Sequence, residues 1–135
     1  MAGDDTPLGF TAFGAFLCFA TLMATLAAFL LLCPGTPLDR LWTLNPRAHR
    51  DLASLGPWIS VAFLFLAALA AYTALLWFRR RRAAWRVAVV GMVVQCLGDA
   101  ANLLTGDTFR GGFGLAIASL LLFFLLRPRV RSAFQ

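Results

Sequence analysis

The chain has 135 residues, 61% of them hydrophobic and only 13% charged, with a formal net charge of +6. A soluble domain of this length has too little interior to hide so much apolar surface, so the composition points to an all-α integral membrane protein. The twelve basic residues are all arginine and the six acidic residues all aspartate, which excludes a catalytic lysine, a lysine Schiff base and a glutamate general acid.

The first apolar run is expected to span about residues 7–32, opened by Thr6 as N-cap and Pro7 at the first helical position. It lacks a positive leader and is too long for a signal h-region, so it is read as a retained span. Leu32 is too large to precede a lipoprotein cleavage at Cys33. Ala20, Ala24 and Ala28 recur every fourth residue and make a small-residue ridge for close helix contact.

Cys33-Pro34-Gly35-Thr36-Pro37 stops that helix and opens a loop expected over residues 33–56. Within it, Leu38 to Trp42 reads as a short amphipathic element. Asn45 then caps a helix with Pro46 at its first position, and Gly56-Pro57 stops it. This segment is expected to lie on the membrane surface as an interfacial helix. The second span, about 57–78, is framed by Trp58 and Trp77 and holds only Ser60, Tyr72 and Thr73 as interior polar groups. Trp42, Trp58, Trp77 and Trp85 are expected to anchor the chain at headgroup depth. Arg79, Arg80, Arg81 and Arg82, with Arg86 beyond, read as a topology signal and an anionic-lipid contact rather than as a nucleic-acid patch.

The third span, about 84–104, carries the polar feature of the chain. At 100° per residue, Gln95, Asp99 and Asn102 fall in one narrow helical sector within an otherwise apolar run. An ionised Asp at the centre of a bilayer costs about 2.5–3.5 kcal/mol on insertion scales, so the stripe is expected to face protein or water. Thr105-Gly106-Asp107 ends the span, Asp107 caps the fourth, about 108–126, and Gly111, Gly112 and Gly114 permit close backbone approach. The tight turn makes these two spans an antiparallel hairpin. The whole chain is therefore expected to form a single domain, an up-down four-helix transmembrane bundle.

Eight arginines fall in the second loop and the tail and four in the first loop and third turn. This bias places both termini in the cytoplasm. Asp99 then sits in the outer half of the membrane, about 7–8 Å from the end of its span, where Asn102, Asp107, Arg110 and His49 share the same side. An ion pair between Asp99 and Arg110 locking the hairpin is one reading of that constellation. The lone His49 and the scattered Cys18, Cys33 and Cys96, with no C-x-x-C pair, offer no metal or haem ligand set. No cofactor is expected, and the cysteines read as small buried hydrophobes.

Trp42-x-x-Asn45-Pro46-x-Ala48-His49, Leu55-Gly56-Pro57, Gly98-Asp99-x-x-Asn102 and Leu126-Arg127-Pro128-x-Val130-Arg131 together resemble a group of small bacterial four-span membrane proteins with no assigned activity. The resemblance implies the architecture and a bacterial inner membrane, and adds no chemistry. Three functions follow from the residues. The leading one is non-catalytic: the stripe serves helix assembly, in a homo-oligomer or larger complex, or binds a small ligand or lipid headgroup near the outer leaflet. The second is an oligomeric transporter or channel with Asp99 as a cation or proton site. The third is an interfacial lipid-acting enzyme using His49 as general base.

Overall fold

The structure, a computed structural model, describes residues 9–134. Its elements are α1 (Phe10–Leu32), a 3-10 helix (Pro37–Leu44), α2 (Pro46–Ser54), α3 (Trp58–Phe78), α4 (Arg82–Leu104), α5 (Thr108–Leu126) and α6 (Pro128–Ser132). No strand occurs among the described residues. Four helices, α1, α3, α4 and α5, are each long and apolar enough to cross a bilayer. The chain is thus a multi-pass membrane protein built from helices, as a bilayer demands of backbone groups that have no water to bond to.

The expected spans end where the structure ends them, at Leu32, Phe78, Leu104 and Leu126. Their starts differ slightly. Among the described residues α1 begins at Phe10, after Gly9 with its left-handed φ of 92°, and the expected start at residue 7 lies outside them. The proposed Thr6-Pro7 cap lies outside the described residues. The third span begins at Arg82, two residues early, because Arg81 takes the extended N-cap conformation.

The chain divides into two compact units, one formed by Ala15–Tyr72 and the other by the residues before Ala15 together with those from Thr73 onward. In the first, the 3-10 helix and α2 meet at Asn45. This residue ends one element and caps the other, its Oδ1 accepting from Ala48 N at 3.2 Å. Trp42 stacks on His49 with ring centroids 4.8 Å apart, and Asp39 Oδ2 accepts from Gly35 N to close the turn before it. Ala24 and Ala28, two of the three positions of the expected small-residue ridge, are buried, as is Ala67 on α3.

In the second unit α4 and α5 form a hairpin. Trp85 Nε1 donates to the Leu125 carbonyl at 2.8 Å, Cys96 Sγ lies 4.0 Å from Ser119 Oγ, Asp99 faces Gly114 and Leu103 faces Gly111. Low numbers on one helix pair with high numbers on the other, so the two run antiparallel. Extended Arg127 then bends the chain into α6, which packs against α5. The sequence reading had given α6 only as a tail. It carries Val130 and leads to Phe134, both buried. Phe134 closes an aromatic cluster with Trp77 (4.6 Å) and Phe10 (5.8 Å), and Phe13 lies 4.6 Å from Trp77.

Candidate functional site

The polar stripe on α4 does not behave as one surface. Asp99 is buried at 7% relative exposure, whereas Gln95 and Asn102 are exposed. The reason lies in the helix geometry. Residues 85, 96, 99 and 103 face α5, and Asn102 is rotated about 60° from Asp99 away from that seam. Gln95 lies between them, and its Nε2 donates to Asp99 Oδ2 at 3.0 Å.

Asp99 reaches into α5 because α5 has no side chain there. A Cβ on Gly114 would stand 2.7–2.8 Å from the three carboxyl atoms of Asp99. One turn earlier, a Cβ on Gly111 would stand 2.5 Å from Leu103 N and 2.8 Å from the Asp99 carbonyl oxygen. Such separations are far inside van der Waals contact: at Gly111 the neighbours are backbone, so only glycine fits with these helices in place, whereas at Gly114 an added Cβ would force the Asp99 side chain to move. Gly112, which the sequence suggested equally, meets only the Leu103 side chain at 4.0 Å. The sequence marks the glycines as sites of close approach; which of them receives the carboxylate follows only from the register of the hairpin.

At the turn, Asp107 caps α5, its Oδ1 accepting from Arg110 N at 3.4 Å. Arg110 Nε also lies 3.9 Å from Asp107 Oδ2, with both side chains about half exposed. The ion pair formed here is thus local, between cap and first turn, and an exposed pair of this kind contributes at most about 1 kcal/mol.

Of the four tryptophans expected at headgroup depth, Trp58 is 79% exposed, and Trp42 and Trp85 are partly buried. Trp77 differs from these three. It is fully buried, and its Nε1 donates to the Phe10 carbonyl at 3.0 Å, so its ring packs within the protein. The cysteine reading also changes: Cys18 and Cys33 are exposed and free, and only Cys96 is partly covered.

His49, with its ring against Trp42, lines a cavity of about 340 Å³ whose walls include Leu30, Ala53, Pro57 and the buried Ser60. Among the described residues, no group of three or more His, Cys, Asp or Glu side chains is placed to hold a metal.

The arginines form the other polar region. Arg82 and Arg86 come together with Arg131 and Ser132 around a cavity of about 530 Å³, with Trp85, Pro128 and Phe134 completing its wall. Arg79, Arg80 and Arg81 line a neighbouring cavity of about 640 Å³ that also touches Ser132. Sequence reasoning assigned Arg79–Arg86 to lipid contact but missed Arg131 and Ser132 as partners. Pro128 in a helix-opening position was the one signal that a short helix returns there.

These features define the class: a multi-pass helical membrane protein with a glycine-backed buried carboxylate and a cluster of arginines. No protein family, curated protein or solved structure matches the chain.

Proposed function

We propose that this is a non-catalytic membrane protein whose α4 is an assembly helix. On this reading Asp99 locks α4 to α5 inside the chain, and the neighbouring exposed edge of Gln95 and Asn102 engages a helix of another copy or of a larger complex. The supporting observation is the burial of Asp99 against Gly114. A carboxylate fitted against a glycine, bonded by Gln95, is a packing device, and such a fit favours helix assembly over an ion path. Gly91 and Gly98 lie beside Gln95 with nothing within 4 Å of a Cβ at either, which leaves this edge of α4 open to close approach. The arginine distribution supports insertion in a bacterial inner membrane with both termini cytoplasmic. The segment 37–54 then lies at the outer surface.

The test is the oligomeric state in lipid nanodiscs or by cross-linking in native membranes. Replacing Gln95 and Asn102 together by alanine is expected to shift the population toward the monomer, and Asn102→Ala alone to do so in part while leaving thermal stability close to wild type. Asp99→Ala is expected to lower the thermal midpoint. A wild-type protein that is monomeric and binds no partner would overturn the reading, as would an oligomer indifferent to both sets of substitutions.

A further inference from the structure

We propose that the cavity between the first turn of α4 and α6 binds the phosphate of an anionic phospholipid headgroup. This site lies at the opposite end of α4 from Asp99, about 25 Å along the helix, and is independent of the assembly reading.

Arg82 and Arg86 stand four residues apart on α4, so their guanidinium groups lie on one face, and Arg131 approaches from α6 across the same cavity. Like charges at this spacing repel. Both also sit in the first two turns of α4, where the positive end of the helix dipole disfavours cations. Arg81, the N-cap residue, contributes no side-chain capping bond. Among the described residues none of Arg82, Arg86 and Arg131 makes an ion pair with a carboxylate. Three guanidiniums around one cavity, without an ion pair among the described residues, suit an anion with several oxygens in fork-compatible geometry, which describes a phosphate better than a carboxylate.

The remaining walls specify a lipid. Trp85 is fixed by its bond to the Leu125 carbonyl and carries the Arg131 guanidinium over its ring at 5.5 Å. Together with Pro128 and Phe134 it gives the cavity an apolar side, and Ser132 adds a hydroxyl. Basic pockets at helix ends, half apolar and half cationic, suit a headgroup whose phosphate meets arginine while its glycerol and acyl stems meet the ring faces. The cavity lies where α4 begins and α5 has just ended, which is the depth of the headgroup layer.

The experiment is native mass spectrometry of the detergent-purified protein titrated with phosphatidylglycerol or phosphatidylcholine, with thermal midpoints recorded for every variant. Wild type is expected to retain phosphatidylglycerol selectively. Arg82→Gln and Arg86→Gln are each expected to reduce that retention on the order of fivefold, and Arg86→Lys to lose part of it by keeping charge without the fork. Arg47→Gln and Arg50→Gln, which remove the same charge elsewhere, are expected to leave it unchanged. Equal retention of the two lipids, indifference to Arg82→Gln and Arg86→Gln, or an equal loss from Arg47→Gln would overturn the proposal. So would displacement of the lipid by equimolar glycerol 3-phosphate, which would mark a site for a soluble phosphate ester.

Discussion

Gly114 lies against the carboxylate of Asp99 so closely that a single added methyl would stand 2.7–2.8 Å from its atoms. The α4–α5 hairpin therefore stores its specificity in a pair, a side chain on one helix and the absence of one on the other. Gly114→Ala is expected to destabilise the protein by about 1–3 kcal/mol through overpacking. Asp99→Ala in the same chain is expected to return part of that loss, because the clashing atoms are gone. Thermal unfolding of the two single variants and the double variant measures this coupling.

Gly111→Ala is expected to cost more than Gly114→Ala, and no side-chain substitution on α4 should rescue it. The atoms a Cβ would meet there are the backbone of Leu103 and Asp99, which move only if the helices separate. The comparison of Gly111→Ala with and without Asp99→Ala checks the point.

Much of this hairpin was legible in the sequence. Thr105-Gly106-Asp107 placed its turn, and Gly106 does take the left-handed position, at φ 100°. Its N–H bonds to the Leu103 carbonyl and that of Asp107 to the Asn102 carbonyl. The division of the stripe was not legible. Gln95, Asp99 and Asn102 share one sector by periodicity, but which edge of that sector faces α5 depends on helix rotation, and rotation is set by packing partners far away in sequence. The packing of Trp77 is not legible for a related reason. An interfacial and a buried tryptophan look alike in a linear pattern, and the difference is the Phe10 carbonyl that receives its N–H.

The turn from α3 to α4 repeats the Gly106 geometry with a different residue. Arg80 N–H bonds to the Trp77 carbonyl and Arg81 N–H to the Leu76 carbonyl, and Arg80 holds φ at 52°. A side chain in this conformation costs about 1 kcal/mol relative to glycine. Arg80→Ala and Arg80→Gly both remove the guanidinium that lies 5.4 Å over the Phe10 ring. Only the glycine relaxes the backbone, so Arg80→Gly is expected to be the more stable of the two by about 1 kcal/mol in thermal or denaturant unfolding.

Two tryptophans provide a matched test of hydrogen bonding. Trp77 Nε1 is bonded to Phe10, whereas Trp42 Nε1 is buried with no partner, as are Oγ1 of Thr36, the N-cap of the 3-10 helix, and Oδ1 of Asp39 within that helix. Trp77→Phe is expected to lower stability by about 1–3 kcal/mol, combining a lost bond with lost volume. Trp42→Phe is expected to cost less, since it removes an unsatisfied donor together with the extra ring. Midpoints in the same detergent decide the order.

The aromatic cluster also fixes an order of events during synthesis. Phe10 packs against Trp77 and Phe134, so a side chain at the start of α1 acquires both of these neighbours only after α6 has emerged. Each apolar helix enters the bilayer in turn, yet the contacts that join α1 to the segment beyond α5 wait for the last of these helices.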